Sequence, residues 1–247
     1  MDMANLTRLD LYRVFWRSLW IQSAWSFEGM QTVGFAYAID PALRRIHGER
    51  APQRLKALER HLGFFNTHPF LGALLLGCVT RLEEDGQGER AVEIKRALMG
   101  PFGGIGDSLY WGALIPFLGA TALAAGWSGA AWAPWFLVGT FGLLGLATRM
   151  WFFFFGYRTG IDAAAVVQRM RLLLWARRIK WAAALILGVA LSFAVDATLL
   201  DRWGAAAVGG AAVTALAVSW LGRRGVSPAW IVLAGAAVAV GLGFYVR

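Results

Sequence analysis

Six polar residues stand out because of where they occur. Glu28 and Gln31 fall in "IQSAWSFEGMQTVGFAYAID", Asn66 and His68 in "LGFFNTHPFLGALLLGCVTRL", and Asp107 and Ser108 in "GPFGGIGDSLYWGALIP". All three stretches are otherwise apolar. An amide or ionisable side chain in such a setting is costly unless it meets a partner or a polar solute, so a solute site is the default expectation. Amides and carboxylates at that depth suit a sugar, whose hydroxyls both donate and accept. The competing role is pairing across helices to fix packing, and the residue types leave both roles open for Gln31 and His68.

Other chemistries fit less well. Ser108, His68 and Asp107 supply the side chains of a hydrolase triad, but no G-x-S-x-G elbow or oxyanion-hole signature accompanies them, so no catalytic residue is expected. "GPFGGIGDS" lacks the lysine of a phosphate loop and the third glycine of a dinucleotide fingerprint. Three histidines and the single Cys78 are scattered without metal-ligand spacing. No cofactor and no metal are expected. His47 and His61 belong to the basic connection 41–61 and are read as solvated.

The glycines around the acid set the next expectation. Gly100, Pro101, Gly103, Gly104 and Gly106 weaken a helix, and irregular backbone survives at membrane depth only when buried in protein or facing a watery cavity. They predict a re-entrant hairpin or a broken helix that opens main-chain groups to a polar solute. Asp107 and Ser108 would then either cap the following helix or, for Asp107, touch the ligand.

The elements that must carry these groups are helical and membrane-embedded. The 247 residues are 58% hydrophobic, with 13 tryptophans and 16% charged residues. That exceeds the apolar content of an ordinary soluble domain. Residues 6–39 show a helical pattern in which Leu9, Tyr12, Phe15, Trp16, Leu19 and Trp20 oppose Arg8, Arg13 and Arg17. This is an interfacial amphipathic helix or a docking helix. A partly helical, basic connection between Pro52 and His61 follows, then the core stretch 62–126. The C-terminal part, 135–247, carries spans at about 135–155, 181–200, 205–221 and 229–246, interrupted by a basic segment at 157–180.

The net charge of +9 clusters between apolar runs, which fits the positive-inside bias and anionic lipid and excludes nucleic acid. Basic ends are expected in the cytoplasm and Arg247 outside. The first twenty residues have no basic n-region with a clean apolar core, so no removable signal peptide is expected.

At these residues the chain resembles a known family. "ALMGPFGGIGDSLYWGALIP" resembles ALMGPLAGIGDSLFWGTLRP, the signature of the IID membrane subunits of mannose/fructose/sorbose-type phosphotransferase systems (PTS). "IQSAWSFEGMQTVGF", "FNTHPFLGALLLGCVTRLEE", "GYRTG" and "RRGVSPAWIVLAGAAVAVGLGFY" are similar to further family elements in the same order. The resemblance spans nearly all of 1–247 and implies one IID-type, all-α, polytopic domain with re-entrant helices in the bacterial cytoplasmic (inner) membrane.

It also implies partners. A IIC subunit would complete a permease for a hexose-type sugar, IIA and IIB phosphocarriers would phosphorylate that sugar, and IIC–IID heterodimers would assemble as trimers. Glu28, Gln31, Asn66 and His68 fall in matching motifs and are the substrate-binding candidates. Gly100, Pro101, Gly104, Gly106, Asp107 and Ser108 would organise the core. Ser26, Phe27 and Gly29 replace the family's Asn, Tyr and Arg. That departure supports an alternative: a non-transporting membrane interaction subunit that keeps the fold.

Overall fold

The computed structural model describes residues 5–194, together with 213, 220 and 224. Met1–Leu187 form one compact unit and Gly188–Arg247 a second. Among the described residues the regular structure is helical, with only two isolated bridges, Ser26 to Met30 and Met30 to Phe65. This matches the all-α expectation.

Helix α1 (Arg8–Ser18) starts where Thr7 and Asp10 cap each other. Thr7 Oγ1 accepts from the Asp10 N–H at 3.2 Å, and Asp10 Oδ2 accepts from the Thr7 N–H at 3.0 Å. The helical pattern expected over 6–39 does not continue unbroken. Residues 19–31 run in turns before α2 (Thr32–His47). There the Ser26–Met30 pair closes, Met30 takes φ +55°, and the Gln31 N–H donates to the Phe65 carbonyl at 2.8 Å. The expected single apolar stripe is also two. Leu11, Val14 and Phe15 are buried, while Leu9, Tyr12, Trp16 and Trp20 are exposed.

Pro41 lies inside α2 and has no N–H for the Tyr37 carbonyl four residues earlier. Arg17 takes that place, donating to Tyr37 O at 3.3 Å with its guanidinium 4.6 Å from the Tyr37 ring centre. The neighbouring Asp40 accepts from Arg54 Nη2 at 2.6 Å and Arg44 Nε at 2.8 Å. Burial pushes the Asp40 carboxyl up, and these hydrogen bonds more than reverse it, leaving its pKa below the usual value. One carboxylate thus joins α1, α2 and α3 (Pro52–His61), whose proline-led start agrees with the expected 52–61 helix.

Helix α4 (Pro69–Glu84) is the core, buried almost throughout and containing Cys78. It crosses α7 (Ala133–Thr159) at backbone contact. A Cβ on Gly77 would lie 2.1 Å from Phe153 O, and one on Gly156 would lie 2.1 Å from Leu74 O. Only glycine permits this approach, a packing device of membrane helices.

The glycine-rich stretch departs from expectation. It forms neither a hairpin nor a chain break. Helix α5 (Gly88–Gly106), a π-helical stretch (Asp107–Leu114) and α6 (Ile115–Trp127) form one helix over Gly88–Trp127. None of Gly100, Gly103, Gly104 and Gly106 adopts positive φ. Gly129, at φ +86°, makes the turn toward α7. The irregularity is a π-helix, whose wider turn re-aims side chains without leaving the helix.

Gly88–Trp127 and Ala133–Arg169 are long and apolar enough to cross a membrane. The expected 135–155 span lies within α7. Its end, a short turn at Gly160–Asp162, α8 (Ala163–Arg169) and the start of α9 (Leu172–Ala194) carry the basic segment 157–180. The expected spans 205–221 and 229–246 and the placement of Arg247 fall outside the described residues, as does the end of 181–200.

Candidate functional site

Three elements meet around a polar cavity of about 340 Å³: the turn before α2, the link between α3 and α4, and the glycine face of α5 continuing into the π-helix. It is lined by Gln31, Asn66, His68, Gly100, Gly104 and Asp107, so six of the sequence candidates come together. Gln22, Thr67, Met99, Gly103 and Trp111 also contribute to the lining.

Gln31 holds the wall rather than offering itself. Its Nε2 donates to Thr67 O at 2.8 Å and its Oε1 accepts from the Thr67 N–H at 3.3 Å. Both ends of the amide are thus engaged, and the packing role is the observed one. This fixes the Asn66–Thr67–His68 peptide segment against the 26–31 turn.

His68 is 2% exposed and serves as N-cap of α4, its Nδ1 accepting from the Phe70 N–H at 3.3 Å. Accepting there leaves the neutral ring's proton on Nε2. That Nε2 is buried without a partner in the described protein, and so is Thr67 Oγ1 beside it. The ring is stacked on Tyr110 at 4.9 Å between centroids and flanked by Trp111 at 5.2 Å.

Gly106 makes room for this ring. A Cβ there would stand 2.3 Å from His68 Cβ and 2.4 Å from Cγ. Asn66 and Asp107 are exposed at the cavity edge. The acceptor Asp107 and the two-way Asn66 at the edge, with Trp111 in the lining, together suit a polyhydroxyl solute with a partly apolar face.

The remaining candidates lie elsewhere. Glu28 is exposed on the 26–30 turn and does not line the cavity. Asp107 is in right-handed helical conformation and makes no cap, because the helix does not restart there. Ser108 Oγ accepts from Lys180 Nζ at 3.3 Å, and His68 Nε2 bonds neither Ser108 nor Asp107, so no triad is assembled. Pro101 is exposed outside the lining.

Two groups that the sequence reading missed support the site. In α7, Arg149 directs Nε to Pro69 O at 3.4 Å and lies 5.3 Å from the Phe70 ring centre, bracing the start of α4. Behind the link, His61 is fully buried, contrary to the solvated reading, because Glu83 is buried with it. His61 Nε2 bonds Glu83 Oε1 at 2.8 Å, and Arg60 chelates the same carboxylate. Burial dominates and holds His61 below its ordinary pKa, so the contact is a neutral imidazole donating to a carboxylate. Burial raises Glu83, but its hydrogen bonds from His61 and Arg60 bring it below the usual carboxylate value.

Known proteins share this architecture. A family model described as PTS system mannose/fructose/sorbose family IID component matches residues 5–204. The mannose-specific EIID component of Escherichia coli (strain K12) is 39% identical over 164 residues, covering 64% of this chain and 58% of that protein. The fructose permease IID component of Bacillus subtilis (strain 168) is 30% identical over 164 residues, covering 64% and 59%. The chain thus spans about three fifths of the length of these curated relatives.

Among solved structures, a chain of the mannose transporter ManYZ in complex with microcin E492 superposes with a TM-score of 0.61 at 29% identity, covering 96% of both chains. A second, described as a membrane protein, gives a TM-score of 0.70 at 30% identity over 96% of both chains. The family motifs read from the sequence, the helical membrane architecture and these matches agree: the chain belongs to the mannose/fructose/sorbose family of PTS IID membrane components.

Proposed function

We propose that this chain, with a IIC partner, binds a hexose-type sugar in the cavity between His68, Asn66 and Asp107 and carries it across the membrane. A IIB protein, recharged by IIA, then phosphorylates the sugar. The observation that carries this reading is the polar cavity itself, which brings Asn66, Asp107 and the Thr67–His68 segment together against the glycine face of α5. Asp107 and Asn66, both exposed at its edge, would pair with sugar hydroxyls, Trp111 would meet the C–H face, and His68 would hold the wall behind them. The phosphate chemistry belongs to the partner proteins.

Residues 1–247 act in this reading as one IID domain, multi-pass in the bacterial cytoplasmic membrane. The 157–180 segment lies on the cytoplasmic side, and IIC–IID pairs assemble as trimers. The interaction-subunit alternative drew on Ser26, Phe27 and Gly29, none of which lines the cavity. They belong to a turn on which Trp25 and Phe27 are 47% and 85% exposed, a surface suited to the IIC partner.

The test is equilibrium binding of a panel of hexoses and amino sugars to the co-purified membrane complex. Saturable binding should fall roughly two- to tenfold in Asn66→Ala and His68→Phe, the first removing a neutral hydrogen bond worth about 0.5–1.5 kcal/mol and the second loosening the wall that holds Asn66. Glu28→Gln should bind as wild type. An intact complex that binds no sugar of the panel would favour the interaction subunit.

A further inference from the structure

A second cavity, about 650 Å³, runs between α1 and α7 and shares no lining residue with the polar one. Leu11, Tyr12, Met150, Trp151, Phe154 and Phe155 make it apolar and aromatic, and two cations, Arg8 and Arg158, line it as well. The cations belong to the same end. Glu84 accepts from the Leu6 N–H through Oε1 and from the Tyr157 hydroxyl through Oε2, so the neighbours of Arg8 and Arg158 meet on one carboxylate. From Arg158 the α7 lining recedes to Ala147, about 17 Å at 1.5 Å per residue. That is close to the hydrocarbon depth of one leaflet, about 15 Å.

Charge and shape together select the occupant. Glu84 is engaged by Leu6, Tyr157 and, at 3.8 Å, Arg81. Among the described residues neither Arg8 nor Arg158 has an ion-pair partner. Tyr12 and Trp151 are about half exposed, as aromatic side chains are at the headgroup level. A neutral lipid or an apolar helix would fill the walls and leave two guanidinium groups uncompensated. A free anion would leave the walls bare.

We propose that this groove is a binding site for an anionic phospholipid. An acyl chain lies along Met150, Trp151 and Phe154, and the headgroup phosphate is held by Arg8 and Arg158, which can each grip it with two N–H groups. The site stands apart from the sugar reading and would persist if that reading failed.

Tryptophan quenching by brominated lipids tests this on the full chain with its co-purifying membrane subunit in phosphatidylcholine nanodiscs. The signal is the quenching present in wild type and absent in Trp151→Phe. Brominated phosphatidylglycerol should quench it at about one tenth the mole fraction needed for brominated phosphatidylcholine. That preference should vanish in R8Q/R158Q, persist in R8K/R158K, and resist millimolar inorganic phosphate. Equal quenching by the two lipids, or a preference unchanged by R8Q/R158Q, overturns the proposal. So does displacement by phosphate, which assigns the site to a free anion. Absence of quenching by either lipid overturns it too, since a protein subunit then covers the groove.

Discussion

Gly106 lies so close to His68 that a Cβ would stand 2.3 Å from the histidine's own Cβ, well inside van der Waals contact. The glycine of one helix therefore sets the position of the N-cap residue of another, and with it the ring that backs the cavity wall.

Gly106→Ala should cost about 1–3 kcal/mol of stability by overpacking and weaken sugar binding by displacing the ring. Gly119→Ala is the control. It lies on the same long helix with nothing within 4 Å of the added carbon, so it should gain about 0.5–1 kcal/mol from helix propensity. Thermal unfolding in detergent and sugar titration, run on both variants, separate the two effects. Equal behaviour would mean that the ring moves aside without cost.

A similar argument applies where α4 crosses α7, but there the obstacle is backbone. The added carbon of Gly156→Ala would face Leu74 O at 2.1 Å, which no rotamer change can relieve. The helices must separate, so this variant should destabilise the protein by about 3 kcal/mol or more. It should also lower the yield of folded protein, read by size-exclusion chromatography after mild heating. Wild-type stability in Gly156→Ala would contradict the close crossing.

The His61–Glu83 pair makes stability depend on pH. His61 is held below its ordinary pKa of 6.5 chiefly by burial, so the unfolded chain takes up its proton first. Stability is complete above about pH 6.5 and falls as the pH drops toward the folded value, by at most about 1.4 kcal/mol per pH unit for one proton. Glu83 and Asp40, lowered from 4.5 and 3.8, add further losses only below those values. Burial also holds His47 and His68 below 6.5, so His61→Gln should remove one proton's share of the dependence between pH 7 and 5.5 and leave theirs and the more acidic limb. Unfolding midpoints across this range check it.

The helical membrane class was legible from composition, and the family from motifs long enough to be specific. The site was half legible. Asn66 and His68 announced themselves as polar residues in an apolar run, but Trp111 was hidden by reading the glycines as a break. In a continuous helix, Gly100, Gly103, Gly104, Asp107 and Trp111 recur at three- and four-residue spacing and fall on one face, which is the face the cavity uses. Glu28 falls outside this cavity because local turns, which an apolar segment does not announce, place it on the surface. His61 misled in the opposite direction. Its burial depends on Glu83, 22 residues away, a pairing that local pattern does not reveal.

Lys95 tests how far that buried network supports the cavity. It is 1% exposed on α5, donates to His61 O at 2.9 Å, and places its ammonium 4.8 Å from the Phe35 ring centre and 5.8 Å from that of Phe65. Phe65 in turn precedes the Asn66–His68 wall and accepts from the Gln31 N–H. Burying an ammonium is expensive, so Lys95→Met recovers desolvation and keeps most of the volume. It also strands the His61 carbonyl, and the two effects nearly offset. Lys95→Met should therefore change stability by no more than about 1–2 kcal/mol, whereas Lys95→Ala, which adds a cavity, should lose about 3 kcal/mol or more. Because the lysine ties α5 to the segment that ends in His68, both variants should weaken sugar binding by more than their stability loss explains. Titrations well below the unfolding temperature decide this: unchanged affinity in Lys95→Met would confine the lysine to packing, and lost affinity in a folded variant would make it a positioning residue for the wall.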